Sequence, residues 1–124
     1  MKKRISLLLT GRPFFFQLLT DGGCSASSGG REWNSDAGEK CMTVMGYYSP
    51  DGAPAMRSNV QIGAYTDGQG ADMSTLVGGQ PIKAAYAVFA NYLNICGRLG
   101  EFERLVPGVF TAAELDSLLV FEGA

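Results

Sequence analysis

The residue types that most enzymes use for acid–base and nucleophilic chemistry are sparse in this chain. The sequence contains no histidine, which removes Ser-His-Asp and Cys-His arrangements and the imidazole ligands of metals. Glu101 and Glu103 are two residues apart and point to different sides of a helix, so they do not form the carboxylate pair of a glycosidase. We therefore expect a non-catalytic protein that uses no cofactor.

The three cysteines, Cys24, Cys41 and Cys96, are far apart in the sequence and form no Cys-x-x-Cys pair. An odd number of distant cysteines argues against a dense disulfide framework. Without histidine, a zinc site would have only thiolates and carboxylates as ligands, so we expect no structural metal. Cys41 and Cys96 fall on apolar faces of predicted elements and are expected in the core, whereas Cys24 is interpreted as an incidental cysteine of a loop.

A glycine-rich loop over residues 67–80 contains the remaining candidates for a ligand site. Asp67, Gln69 and Asp72 lack the spacing of a calcium-binding hand. Gly78 and Gly79 precede a predicted helix as in an anion-binding loop, but the Walker spacing is missing and a hinge is the favoured interpretation. The alternative functional hypothesis is therefore a small ligand-binding protein, or a histidine-independent enzyme, with a site near this loop.

Composition and charge restrict the partners of the protein. Ten basic and twelve acidic residues give a formal charge of −2, which provides no strong signal for nucleic-acid binding. Hydrophobic residues make up 46% and charged residues only 18% of the chain. Because the surface of a soluble monomer is usually richer in charge, we expect apolar surface that contacts another subunit.

The first residues resemble an export signal only in part. Lys2, Lys3 and Arg4 precede the apolar run ISLLL, but Arg12 and Pro13 interrupt it and no small-x-small cleavage site follows. No segment reaches the roughly 20 apolar residues that span a bilayer. We expect no cleaved signal peptide and no membrane partner, with a location in a virion or the cytoplasm.

The first half of the chain contains four segments with strand character. Residues 5–10 are predicted to pair with 13–20, and residues 40–48 with 55–66, the latter pair through the turn Ser-Pro-Asp-Gly at 49–52. The Gly/Ser-rich segment at 21–39 has no periodicity and is predicted to be a long loop or arm. The sequence thus favours an antiparallel sheet of four or more strands.

Two helices are predicted after the strands. Pro81 suits the first helical position, an apolar stripe follows at three- and four-residue spacing, and Gly97 and Gly100 are expected to end the helix. The stripe comprises Ile82, Ala85, Tyr86, Phe89, Tyr92, Leu93 and Cys96, and Lys83, Asn91, Asn94 and Arg98 lie toward the other side. Thr111 and Glu114 have the spacing of a capping box, which predicts a short helix from 112 to about 120 with Leu115, Leu118 and Leu119 inward.

These elements predict a single α+β domain over residues 1–124, with the long helix and the short C-terminal helix covering one face of the sheet. Five aromatic residues lack a predicted cover and are expected at contacts between subunits: Phe14, Phe15, Phe16, Trp33 and Phe121. We therefore predict a non-catalytic structural subunit of a homo-oligomeric assembly. Its most concrete version is a virion protein, such as a phage capsid, decoration or tail component, whose partners are copies of itself and other particle proteins.

Overall fold

The computed structural model describes residues 11–20 and 41–123, together with the backbone of residues 25–26 and 33–34. In chain order the elements are β1 (Phe14–Leu19), β2 (Ser25–Ala26), β3 (Trp33–Asn34), β4 (Thr43–Tyr48), α1 (Pro81–Ile95), a 3₁₀-helix (Leu99–Glu101), α2 (Phe102–Leu105) and α3 (Ala112–Ser117). The hydrophobic core lies among the helices, where it contains Ala87, Ala90, Leu93, Phe102, Val106, Phe110, Leu118 and Leu119. The strands β1 and β4 lie beside this helical core.

Strands β1 and β4 form a two-stranded antiparallel ladder, in which Phe14 lies opposite Tyr48 and Leu19 lies opposite Thr43. Strands β2 and β3 pair separately over two residues within the segment predicted to be a loop. No sheet in the described part of the chain has more than two strands.

The predicted sheet of four or more strands is therefore wrong, although two of its strands are confirmed. The segments 13–20 and 40–48 do contain strands, but they pair with each other rather than with their neighbours in sequence. The turn at 49–52 also forms, closed by a 3.3 Å backbone hydrogen bond between its first and last residues. The strand predicted over residues 5–10 lies outside the described residues.

Residues 55–66 were predicted as a strand beside β4 but form only isolated bridges, to Phe121 and to Ala71. Their backbone groups form hydrogen bonds with segments other than β4. The N–H of Arg57 donates to the carbonyl of Val120 at 2.8 Å, and the N–H of Glu122 donates to the carbonyl of Ala55 at 2.8 Å. Backbone groups satisfied in this way are not available to β4. The start of this segment therefore pairs with the chain that follows α3, here called the C-terminal tail.

Helix α1 has the predicted beginning and end. It starts at Pro81, whose missing N–H has no partner to lose at the first helical position. It ends in a Schellman motif, because Gly97 has φ of 69° and its N–H donates to the carbonyl of Asn94 at 3.1 Å. The N–H of Arg98 then donates to the carbonyl of Leu93 at 2.8 Å, which completes the motif.

The buried face of α1 differs from the predicted apolar stripe. Ile82, Ala85, Tyr92 and Cys96 were expected inward but are exposed, so the placement of Cys96 in the core was also wrong. Asn91 and Asn94 were expected outward but are buried. The buried residues of the helix are Ala87, Val88, Ala90, Asn91, Leu93 and Asn94. The helix is thus rotated about its axis relative to the prediction, and the two asparagines explain why.

Asn91 and Asn94, here called the asparagine clamp, bind the backbone of the C-terminal tail to α1. The Nδ2 group of Asn91 donates to the carbonyl of Leu118 at 2.9 Å, and its Oδ1 accepts from the N–H of Val120 at 2.7 Å. The Nδ2 group of Asn94 donates to the carbonyl of Phe121 at 2.9 Å. Buried amides require such partners, so these bonds select the face of α1 that turns inward.

Helix α3 begins with the predicted capping box. The N–H of Glu114 donates to Oγ1 of Thr111 at 3.2 Å, and the N–H of Thr111 donates to Oε2 of Glu114 at 2.8 Å. The helix ends at Ser117 rather than near residue 120. It ends early because the residues that follow leave the helical path to meet the asparagine clamp.

Replacing Asn91 by leucine keeps an apolar side chain of similar size but leaves a buried N–H and a buried carbonyl of the tail without partners. We expect the free energy of unfolding to fall by about 2–4 kcal/mol, against about 1–2 kcal/mol for Asn94→Leu, which leaves one carbonyl. Urea unfolding followed by circular dichroism measures both losses. A loss at Asn91 no larger than that at Asn94 would contradict the assigned roles.

The capping box also predicts that the stability of the protein depends on pH. Hydrogen bonds from the backbone N–H of Thr111, and then from its side chain, hold the pKa of Glu114 below its ordinary value. This stabilisation is fully present above the pKa of Glu114 in the unfolded chain and is lost as the pH falls through its lower pKa in the folded chain. NMR titration should show the pKa of Glu114 moving only partway back toward the ordinary value in Thr111→Ala, because alanine loses the side chain but keeps the backbone N–H. An unchanged pKa in that variant would show that the Thr111 side chain does not contribute to the capping contact.

Candidate functional site

Part of one face of the β1–β4 ladder packs against α1, although Leu19 on this face is 67% exposed. Phe15 lies on this face, and its ring makes an edge-to-face contact with Tyr92 of α1, with the ring centroids 5.6 Å apart. Gln17 and Thr43 lie on the same face and are joined by a 2.9 Å hydrogen bond from Nε2 to Oγ1. Because side chains alternate along a strand, the intervening residues point away from α1.

The opposite face of the ladder, here called the open face, is apolar and exposed. It comprises Phe14, Phe16 and Leu18 of β1 with their cross-strand partners Tyr48, Gly46 and Val44 of β4. Leu18 is 65% and Val44 47% exposed, and Phe14 and Phe16 are 36% and 39% exposed. Side chains of this kind gain free energy when they leave water, so this face is a candidate binding surface.

An aromatic row crosses the open face. The ring of Phe16 lies over Gly46, where a Cβ atom would overlap the ring, so the close packing requires glycine at this position. The ring of Phe14 stacks on that of Phe16 with centroids 5.9 Å apart and lies 5.9 Å from the ring of Tyr48. The row therefore presents a continuous apolar surface.

The open face also lacks charge. Residues 13–20 and 41–49 contain no Asp, Glu, Lys or Arg. Edge strands of natural proteins commonly carry lysine or proline, which prevents pairing with other chains, and β1 has neither. Among the described strands, none pairs with the outer edge of β1. Neither charge repulsion nor a proline in the strand opposes contact with another apolar surface here.

The five residues predicted at a subunit contact are distributed over several places. Phe14 and Phe16 lie on the open face, whereas Phe15 lies on the opposite face and is half-buried. Phe121 is only 5% exposed and belongs to the interior of the chain, so it offers no surface to a partner. Trp33 lies in β3, and its side chain is outside the described part of the structure.

Sequence reasoning missed two of the most exposed residues of the open face, Leu18 and Val44. The signal that would have found them is the alternation along β1, where positions 14, 16 and 18 share one side. That signal was hidden because apolar residues occupy both faces of the strand. Only the pairing of β1 with β4 shows which side α1 covers.

Asp72 and Gly78 of the 67–80 loop have structural partners. Oδ1 of Asp72 accepts from the hydroxyl of Ser74 at 2.7 Å and from its N–H at 2.9 Å, and these hydrogen bonds lower the pKa of Asp72. Gly78 is buried against the backbone of Asp72 and Met73. Within the described ranges, no three Cys, Asp or Glu side chains are grouped so that they could hold a metal ion.

A cavity of about 410 Å³ lies beside the other edge of β4 and is partly open to solvent. Its walls are β4, the segment 56–65, the turns at 71–79, the first half of α1 and the C-terminal tail. The loop that the alternative hypothesis singled out therefore supplies one wall of the cavity. The residues that line it include no Asp, Glu, Lys or Arg.

Comparison of the chain with protein-family models, curated proteins and solved structures finds no match. Among the helices of the described residues, none has the length and apolar character needed to cross a membrane. The function must therefore be argued from the open face and the cavity themselves.

The contact between Phe16 and Gly46 can be tested by a double-mutant cycle. Gly46→Ala places a methyl group where the Phe16 ring lies, and we expect a loss of about 1–3 kcal/mol in the free energy of unfolding. In the background of Phe16→Ala the same change should have little effect, because the ring is absent. Urea unfolding of the four proteins gives the coupling energy. Additive effects would show that the ring does not lie over Gly46.

Proposed function

We propose that this protein is a non-catalytic structural subunit that associates with copies of itself through the open face. The observation that carries the proposal is the exposure of four apolar side chains, Phe14, Phe16, Leu18 and Val44, on an uncharged face. Buried apolar surface contributes about 25 cal/mol per Å². An isolated two-stranded ladder is also marginally stable, so covering this face would stabilise the ladder itself.

A second copy is the partner that the chemistry of this face favours. A surface without charged groups does not repel its own copy, and burying it removes no ion from water. Two open faces related by a two-fold axis would pack as sheets do, about 10 Å apart. The aromatic row would then lie at the centre of the contact, where interfaces concentrate large and rigid side chains.

A larger particle would require a second contact surface, because a two-fold contact alone closes as a dimer. The identification as a virion protein stays a prediction from the sequence. Electron microscopy of the purified protein tests it, since a capsid, decoration or tail component should form shells, rings or tubes, or bind to such a particle.

A charge on the open face should prevent association. Leu18 and Ile82 are almost equally exposed, at 65% and 64%, but only Leu18 lies on the open face. We expect Leu18→Lys to raise the dissociation constant of the dimer at least about a hundredfold, because each contact would bury two lysines. Ile82→Lys, the matched control, should associate like the wild type.

Sedimentation velocity over a range of micromolar concentrations measures this difference, with circular dichroism to confirm that both variants fold. A wild-type protein that stays monomeric would refute the proposed function. Equal association of the two lysine variants would show that copies meet through another surface.

A further inference from the structure

We propose that the cavity beside β4 is a binding site for a small, uncharged, hydrocarbon-like molecule. Its volume of about 410 Å³ falls within the range of small-molecule sites, about 300–1,000 Å³. Apolar cavities of less than half this volume already bind small aromatic molecules. The size therefore suits a compact ring system or a short alkyl chain.

The lining selects against a charged ligand. Side chains such as Met45, Ile62, Val77, Val88 and Val120 supply most of the surface, and no charged residue contributes to it. An ionised ligand would lose its hydration without gaining a counter-charge. An uncharged apolar ligand loses only unfavourable contacts with water.

The polar side chains of the lining do not require a polar ligand either. They are Thr43, Gln61, Tyr65 and Thr75, and each already donates a hydrogen bond to a backbone carbonyl of the protein, at distances between 2.8 and 3.0 Å. A ligand that needed one of the three hydroxyl donors would have to break an existing hydrogen bond. Recognition would therefore depend on shape and apolar contact.

One wall of the cavity is held in place before any ligand binds. Val120 and Phe121 belong to this wall, and their backbone is fixed on one side by the asparagine clamp and on the other by Arg57. Met56, which is exposed and also lines the cavity, offers a flexible side chain that can adapt to different ligands. A preformed wall reduces the entropy lost on binding.

The test uses N-phenyl-1-naphthylamine, an uncharged fluorescent probe, added to the wild-type protein. We expect saturable binding of one probe per chain, with changes in the NMR signals of the Val88 and Val120 methyl groups. Ala84→Phe fills the cavity from α1 and should weaken binding at least about tenfold. Ala113→Phe introduces the same side chain at an exposed position of α3 and should bind like the wild type.

Two further variants test the cavity proposal, and one of them separates it from the proposed self-association. Ala84→Leu adds less volume and should weaken binding to an intermediate degree, which provides a second test if Ala84→Phe does not fold. Leu18→Lys should bind the probe like the wild type even though its association is lost, because Leu18 does not line the cavity. Absence of saturable binding, unchanged binding in folded Ala84 variants, or loss of binding in Leu18→Lys would each overturn the proposal.

Discussion

Hydrogen bonds from two buried asparagine side chains determine how the described part of this protein is arranged. Asn91 and Asn94 of α1 bind the backbone of the C-terminal tail at Leu118, Val120 and Phe121. A buried amide without partners is costly, so the rotation of α1 follows these bonds rather than its most apolar stripe. The tail in turn holds the residues around Arg57 through backbone hydrogen bonds. These hydrogen bonds together connect three separate segments: α1, the C-terminal tail and the start of the 55–66 segment.

Both candidate sites follow from this arrangement. Because the start of the 55–66 segment pairs with the tail, β4 gains no strand on that side, and the space between them becomes the cavity. The ladder of β1 and β4 consequently stays two-stranded, and α1 covers only one of its faces. The open face is exposed because α1 packs on the opposite face of the ladder. Self-association would use the open face and ligand binding would use the cavity beside β4, and Val44 belongs to both.

Features that depend on neighbouring residues were predicted correctly from the sequence. Features that depend on contacts between distant segments were not. The capping box at Thr111, the start of α1 at Pro81 and its end at Gly97 were all predicted, since each has a local signal. The inward face of α1 was not predicted, because apolar residues surround most of this helix and the tail groups that bind Asn91 lie 27 and 29 residues away. The predicted strand pairing was wrong for the same reason, because β1 pairs with a strand that is distant in the sequence. At the candidate interface, the sequence predicted that Phe14 is exposed. It also predicted exposure of Phe121, which is buried because of how the tail packs.

Amide hydrogen exchange at Val120 tests the asparagine clamp most directly. If the clamp holds the tail to α1, the N–H of Val120 should exchange only when the whole domain unfolds. Its rate should then show the same denaturant dependence as that of Leu93 in the core of α1. Exchange of Val120 through a local opening, far faster than that of Leu93 and insensitive to denaturant, would show that the tail moves independently of the helix.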